Sequence, residues 1–172
     1  GFARAHAALA SAYVVLPGYS REEGDETQFL QLAETAARQA LSIDPNIGEA
    51  HAVLAQINAE RGNLLDAESG FFFAISLEPN EPTPHHWYSL LLSRVGRLNL
   101  SLDQARKAQE LDPSSPVLAL NLAGMYLMLG EDEQALRFSK LAVDLGLSKK
   151  QSGIESAVAM RRGQWDEARR LI

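Results

Sequence analysis

The sequence predicts an all-α fold of stacked repeats, and three observations support this prediction. A proline recurs at a constant interval, with an aliphatic and an acidic residue before it and a small polar residue after it, at Pro45, Pro79 and Pro113. A glycine followed five positions later by a small residue recurs at Gly62 with Ala67, Gly96 with Ser101, Gly130 with Ala135, and Gly163 with Ala168. Apolar residues between these landmarks keep helical spacing. A fixed period of roughly 20 to 50 residues is typical of repeat proteins, whose units cannot bury their apolar faces alone.

The first repeat is predicted to open with a helix over residues 5–13 and to close with a helix over residues 27–42. Between them lies a ten-residue segment, 17–26, that contains Pro17, Gly18 and Gly24. Such residues are typical of loops. We therefore expect a surface loop where the other repeats use a tight turn.

The middle repeats are each predicted to be two antiparallel helices. The glycine can adopt the left-handed conformation that ends the first helix, and the small residue lets the second helix pass close to it. The proline ends the second helix, because it disfavours the α conformation in the residue before it and has no N–H to donate. Alanines that recur at the proline interval predict a tight helix crossing in each repeat, at Ala40, Ala74, Ala108 and Ala142.

The last repeat departs from the pattern. Leu147 stands where proline is expected, and Gly163 follows Gly130 one position sooner than the repeat interval requires. We therefore expect this repeat to be slightly rotated against the one before it. Trp165 is predicted to pack between its two helices, with Asp166 and Glu167 in the first turn of the second helix, where the helix dipole favours acidic side chains.

Together these landmarks resemble the tetratricopeptide repeat, and the glycine, the small residue, the alanine and the proline keep register through three consecutive repeats. The resemblance implies an all-α, right-handed superhelical solenoid of about ten antiparallel helices. It covers nearly the whole chain, so we expect a single domain over residues 1–172. Its repeats are expected at about 1–45, 46–79, 80–113, 114–147 and 148–172, the last one truncated.

The long first loop and the segment Pro84-His85-His86-Trp87-Tyr88 resemble a narrower group of such arrays. These lie behind the DNA-binding or cyclase portions of some bacterial regulators, including membrane-anchored winged-helix ones. The resemblance implies a sensory or regulatory domain of a bacterial signalling or transcription regulator.

Composition excludes several classes of function. The net charge of -6 is spread through the chain, with basic residues mixed among the acidic ones, so there is no cationic stripe to neutralise a phosphate backbone and direct nucleic-acid binding is not expected. The absence of cysteine excludes disulfides, thiol catalysis and cysteine metal sites. No apolar stretch approaches the roughly 20 residues of a membrane helix, which predicts a soluble segment without membrane insertion. The start at Gly1 and the end within the repeat pattern suggest a piece of a longer polypeptide. The compartment, cytoplasmic or periplasmic, is left open.

The resemblance implies that the first helix of every repeat lines a concave groove, polar early in the chain and apolar from Leu90 onward. A groove of this kind suits a partner helix or an extended peptide; alternatively, a neighbouring domain or the continuation of the chain fills it. Related arrays that clamp a C-terminal carboxylate use Lys, Arg and Asn where this chain has Ala52, His86 and Leu120, which disfavours that activity. The predicted partner-binding residues are Gln56, Glu60, His86, Leu90, Arg94, Leu120, Gly124, Leu127, Met128, Ile154 and Val158.

Phe71-Phe72-Phe73 suggests a second surface. The repeat register buries Phe71 and places Phe72 and Phe73 where charged residues normally face water. Two outward phenylalanines would form a self-association or partner patch. The alternative is that one of them packs against the next repeat or under the first loop.

Chemistry-bearing motifs are not found. The four histidines are interpreted as half-buried packing residues, because successive repeats hold them too far apart for one tetrahedral metal site. Glycine-rich phosphate loops and nucleophile-base patterns are missing. We therefore predict no catalytic, cofactor-binding or metal residues, and a non-enzymatic module that binds a protein or peptide in the groove. The alternatives are a regulatory domain of a bacterial protein and a homo-oligomer formed through Phe72 and Phe73.

Overall fold

The computed structural model of the chain describes residues 1–16, 26–148 and 153–171. Regular structure within these residues is entirely helical, which confirms the all-α class and the expected number of about ten helices. The helices are α1 Phe2–Val15, α2 Glu26–Ile43, α3 Gly48–Glu60, α4 Leu64–Leu77, α5 Pro82–Arg94, α6 Leu98–Leu111, α7 Pro116–Leu129, α8 Asp132–Asp144, α9 Ile154–Arg161 and α10 Trp165–Leu171. Apart from Glu26, where α2 begins, the predicted first loop lies outside the described residues.

The predicted glycine turns are confirmed. Gly62 has φ 81°, a conformation that a side chain with a Cβ rarely adopts. Its N–H donates to the carbonyl of Ala59 at 3.1 Å, and the N–H of Asn63 donates to the carbonyl of Asn58 at 2.8 Å. These two bonds satisfy carbonyls at the end of α3 that lack helical partners. The same pair of bonds recurs in the later repeats, at Gly96, Gly130 and Gly163.

The alanines predicted to lie at helix crossings are buried, as a close crossing requires. Ala40, Ala74, Ala108 and Ala142 are completely buried. The small residues that follow the glycine turns are buried as well, at Ala67, Ser101, Ala135 and Ala168. A larger side chain at any of these positions would push two helices apart, because protein interiors are close-packed.

The chain divides into two compact units, and the division falls within α5. The first unit is Gly1–Leu91 and the second is Leu92–Ile172. In the first unit α1 packs along α2, α3 packs along α4, and both α1 and α2 contact α3. In the second unit α7 contacts α6 and α8, while α9 contacts α7, α8 and α10. The core of the second unit contains Leu102, Ala105, Leu122, Ala123, Met125, Tyr126, Ala135, Ile154 and Val158.

The break at Leu147 has a local structural account. Gly146, with φ 111°, ends α8, and the N–H of Leu147 donates to the carbonyl of Ala142 at 3.0 Å. The helices that follow are short, with eight residues in α9 and seven in α10. None of the helices in the described part of the chain is both long and apolar enough to cross a membrane.

Candidate functional site

The solvent-facing side of α7 is apolar. Val117 and Met128 are exposed, Met128 to 51%, and Leu120 and Leu127 are half-buried. Gly124 lies between these leucines, and a Cβ added to it would meet no atom within 4 Å. The five residues recur at helical spacing and form what we call the α7 face. Four of the five, all except Val117, are predicted partner-binding residues.

The position of the α7 face is fixed at both ends of the helix. The hydroxyl of Ser115 accepts the N–H of Leu118 at 3.4 Å, and Pro116 occupies the first turn, where its missing N–H costs nothing. At the other end Gly130 takes the left-handed conformation, with φ 83°. The neighbouring residues of α5 contribute at this end too, because the hydroxyl of Ser93 donates to the thioether sulfur of Met128 at 3.3 Å. The predicted groove residue Arg94 is exposed beside Ser93 in the chain.

An arginine cluster borders the C-terminal end of α7. Arg161 donates from Nη1 to the carbonyl oxygen of Leu127 at 2.7 Å and pairs through Nη2 with Asp132. Arg162 donates to Asp132 at 3.0 Å and to Glu133 at 3.3 Å. These bonds tie the end of α9 to the turn between α7 and α8.

Ile154 and Val158 do not lie where the sequence placed them. Both are buried in the core of the second unit instead of facing a groove. The prediction advanced Leu120 and Gly124 by one full repeat interval, whereas the glycine turn of the last repeat comes one position early. One residue is about 100° of helix rotation, since an α-helix has about 3.6 residues per turn. Counted back from Gly163, the residue equivalent to Gly124 is Ala157.

In the first unit the predicted groove residues differ in polarity and burial. Gln56 donates to Glu60 at 2.6 Å along α3, so both are held in a polar pair. His86 is half-buried in α5, and burial lowers the pKa of its imidazole from 6.5 to about 4. The side chain is therefore neutral at pH 7. Leu90 is partly exposed on α5.

Sequence reasoning missed a polar chain that orders this unit. The carboxylate of Glu78, at the end of α4, accepts the N–H of Glu49 at 2.9 Å and pairs with Arg4 at 3.0 Å. The hydroxyl of Ser11 in turn donates to the carboxylate of Glu49 at 2.7 Å. Glu78 thus caps the start of α3 from another helix. No local capping motif marks it, because its partners lie 29 and 74 residues away.

Among known proteins, the chain is similar to solved structures in its fold only. No protein-family model matches the chain, and no curated protein matches it. Among solved structures, the type IV pilus biogenesis factor PilW has a TM-score of 0.76 at 22% identity, over 98% of this chain and 74% of PilW. A thermophilic tetratricopeptide-repeat protein of Thermus thermophilus has a TM-score of 0.73 at 20% identity, over 98% and 87%. YrrB, described as a tetratricopeptide-repeat protein with an unusual peptide-binding site, has a TM-score of 0.65 at 13% identity, over 94% and 89%.

The chain has the tetratricopeptide-repeat fold. This confirms the family resemblance of the sequence, while the resemblance to arrays of bacterial regulators stays a prediction. Residues one repeat interval apart therefore occupy equivalent positions in successive repeats. At identities this low, likeness of fold carries no activity with it.

The tetratricopeptide register explains two of the four histidines. His51 and His85 are one repeat interval apart, and the Nε2 atom of each hydrogen-bonds the carbonyl oxygen of the repeat proline, Pro45 at 2.8 Å and Pro79 at 3.2 Å. A carbonyl only accepts, so Nε2 carries the proton in both rings. Where the next repeat has no histidine, Gln109 donates to the carbonyl of Pro113 at 3.2 Å. These contacts are structural, as the sequence analysis interpreted them.

Phe72 and Phe73 are both exposed on α4, to 57% and 49%. Each ring nevertheless contacts an aromatic neighbour within the first unit. The ring of Phe72 lies 5.2 Å from that of Tyr88, and the ring of Phe73 lies 4.7 Å edge-on from His51. Phe71 is fully buried, as predicted.

The prediction for Trp165 was wrong. Its side chain is 61% exposed at the start of α10 and does not pack between the helices of the last repeat. Asp166 and Glu167 do occupy the first turn of α10, as expected. Only Ala168 is buried in this helix, because seven residues are two turns and present one small face to α9.

Proposed function

We propose that the chain is a non-enzymatic interaction module that binds an apolar segment of a protein or peptide on the groove side of its first helices. The observation that carries this proposal is the α7 face. A helix that is apolar all round is normally buried on every side. In α7 the inner side fills the core, and Leu120 and Leu127 pack partly against it. Val117 and Met128 are exposed, and Leu120 and Leu127 are only half-buried.

The chemistry of the α7 face suits a partner that is itself apolar. Gly124 leaves a notch between Leu120 and Leu127 into which a partner side chain can insert, because no packing within the described structure fills the space above it. Met128 is unbranched and polarisable, so its thioether can adapt to the shape of a ligand. A helix or an extended segment with apolar anchors is the class of ligand that such surfaces bind.

The fold supports a binding role. YrrB, one of the similar structures, is described as having a peptide-binding site. The predicted residues Gln56, Glu60, His86 and Leu90 lie in the first unit and Arg94 in the second, and we propose them as further contacts of the same kind of ligand. Ile154 and Val158 support the α7 face from the core and are not part of the proposed contact.

The proposal is tested with short peptides selected by phage display against the whole chain. Binding of the enriched peptides is measured by fluorescence anisotropy for the natural chain and for a Leu120→Glu, Met128→Glu variant. We expect at least a tenfold loss of affinity, about 1.4 kcal/mol, because a charge at either position must be desolvated by an apolar ligand.

The matched control is Leu100→Asn, which removes an exposed leucine of α6 in the same unit. This variant should bind as the natural chain does. Equal binding by the Leu120→Glu, Met128→Glu variant, with its helical circular dichroism unchanged, would move the ligand site away from the α7 face.

A further inference from the structure

We propose that the outward side of α4 is a second docking surface, and that it binds a cationic, apolar segment of another protein. The surface consists of Leu65, Phe72 and Phe73, exposed to 81%, 57% and 49%. Leu65 and Phe72 are separated by about two helical turns and so lie on one line of the helix. This surface, the α4 patch, belongs to the first unit and is distinct from the α7 face.

The repeat register shows that packing does not require the α4 patch to be apolar. The residues equivalent to Phe72 in the other repeats are Arg38 in α2, Arg106 in α6 and Lys140 in α8. The residues equivalent to Leu65 are Gln31, Asn99 and Glu133. Three helices of the same chain thus form with polar side chains at both positions. The apolar residues of α4 call for another explanation, and contact with a partner supplies one.

The two rings are held in place before any partner arrives. Phe72 packs against Tyr88, whose hydroxyl donates to Glu68 at 2.8 Å. Phe73 packs against His51, which is itself bonded to the carbonyl of Pro45. Aromatic groups that are already ordered lose little conformational freedom on binding, which favours them as anchors.

The charge of the first unit indicates which partner fits. Residues 1–91 contain four basic and twelve acidic side chains, a net charge of -8, whereas residues 92–172 contain twelve basic and ten acidic ones, a net charge of +2. These counts include Arg21, Glu22, Glu23, Asp25, Lys149 and Lys150, which lie outside the described residues. Charged residues of both signs occur along the whole chain, but the excess of acidic residues lies in the first unit. Arg4, Arg38 and Arg61 are each ion-paired with a glutamate. The unit that carries the exposed rings thus has a surplus of carboxylates.

Two interactions would favour binding of a basic side chain at such a surface. Arginine and lysine are attracted to the face of an aromatic ring, and the field of the surplus carboxylates raises their local concentration. The partner must also carry apolar groups, since Leu65 and the phenylalanines offer no hydrogen bond. A segment that combines arginine or lysine with leucine-like residues meets both conditions.

A second copy of the chain fits less well. Two first units facing each other would bring together two net charges of -8. The exposed parts of the three side chains of the α4 patch amount to roughly 350 Å² of surface, if each side chain contributes about 150 to 250 Å² when fully exposed. A stable dimer needs about 800 Å² per partner. A short segment requires far less.

The test uses two synthetic amphipathic peptides of leucine and arginine, identical except that citrulline replaces every arginine in one of them. Citrulline keeps the shape of arginine and removes its charge. Fluorescence anisotropy with the full chain should give an affinity at least about tenfold higher for the arginine peptide. A Phe72→Gln, Phe73→Gln variant should lose at least about tenfold of that affinity, and Leu100→Asn should lose none.

Three outcomes would overturn the proposal. Equal binding of both peptides would remove the role of charge, and equal binding of the arginine peptide by the natural chain and the phenylalanine variant would leave only non-specific attraction to an acidic protein. Sedimentation that shows a dimer of the natural chain and a monomer of the phenylalanine variant would replace the cationic partner by a second copy. A Leu65→Gln variant repeats the comparison without touching the ring contacts, and it should also weaken binding of the arginine peptide.

Discussion

Two helical glycines of this chain play opposite parts. Gly48 begins α3, and a Cβ added there would lie 2.8 Å from the carbonyl oxygen of Ala74 and 2.8 Å from Oε2 of Glu78. The missing side chain is what lets the end of α4 reach the start of α3, where Glu78 caps the N–H of Glu49. Gly124, in contrast, has open space beside it. Glycine is therefore required by close packing at position 48, whereas at position 124 it leaves a notch on the surface.

We predict that Gly48→Ala lowers the free energy of unfolding by about 1 to 3 kcal/mol, because backbone and carboxylate must shift to admit the methyl group. Gly124→Ala is the matched control and should raise the free energy of unfolding by about 0.5 to 1 kcal/mol, since alanine restricts the unfolded chain and meets no obstacle. Urea unfolding followed by circular dichroism measures both. A Gly48→Ala variant as stable as the natural chain would show that the contact with Glu78 is loose.

His86 predicts a dependence of stability on pH. Its pKa is lowered by burial from 6.5 to about 4, so between these values the unfolded chain binds more protons at this residue than the folded chain. The contribution to stability is complete above pH 6.5 and is lost as the pH falls toward 4. We predict that His86→Gln becomes more stable relative to the natural chain over this window, by on the order of 3 kcal/mol near pH 4. Other titrating groups cancel in the difference between the two proteins. A difference that stays constant from pH 7 to about 4 would contradict the prediction.

At the scale of the helix, the turn between α7 and α8 is secured from α9. Asp132 begins α8, accepts hydrogen bonds from both Arg161 and Arg162, and is largely buried between them. Arg161 also donates a hydrogen bond to the carbonyl oxygen of Leu127, in the last turn of α7. Charge-assisted bonds of this kind are shorter and stronger than neutral ones. The short α9 is thereby attached by polar contacts as well as by Ile154 and Val158.

We predict that Asp132→Asn lowers the free energy of unfolding by about 1 to 2 kcal/mol, because it removes the charge that two guanidinium groups share. Asp144→Asn is the control on the same helix. Its bond to Lys140 at 2.7 Å is exposed on both sides, and its loss should change stability by less than about 0.5 kcal/mol. Thermal unfolding of the two variants side by side makes the comparison. Equal effects would mean that Arg161 and Arg162 contribute no more than an ordinary surface pair.

The helices themselves were largely predictable, since the glycine, alanine and proline positions follow from backbone sterics and close packing that any stacked repeat must satisfy. The candidate site was less so. The glycine turn of the last repeat comes one position early, so the predicted register of α9 was off by one residue, and Ile154 and Val158 lie in the core instead of the predicted groove. The role of Glu78 depends on partners far away in the sequence, and no local pattern encodes such a contact. Trp165 is exposed at the start of α10, and its aromatic side chain and position after the glycine turn did not indicate this.

At the scale of the whole molecule, the two units differ in net charge although both are built from the same kind of repeat. The net charges of -8 and +2 become visible only when residues are assigned to their units, because the total of -6 conceals the asymmetry. The α4 patch lies in the acidic unit and the α7 face in the other. A chain with this arrangement can offer partners two surfaces of different character, one apolar with surplus carboxylates and one apolar alone.

Support for each helix also varies along the chain, and this predicts a gradient of local stability. In stacked-repeat proteins each repeat is stabilised mainly by the repeats next to it. In the first unit α3 contacts α1, α2 and α4 and has seven buried residues, whereas α10 packs against α9 with Ala168 alone buried. We predict that amides of α10 exchange with deuterium at least roughly 100-fold faster than those of α3, because local opening there exposes little apolar surface. Hydrogen exchange followed by mass spectrometry at neutral pH measures both segments in one experiment. Equal protection of α3 and α10 would show that the chain opens as a single cooperative unit, and the neighbour-by-neighbour account of its stability would then fail.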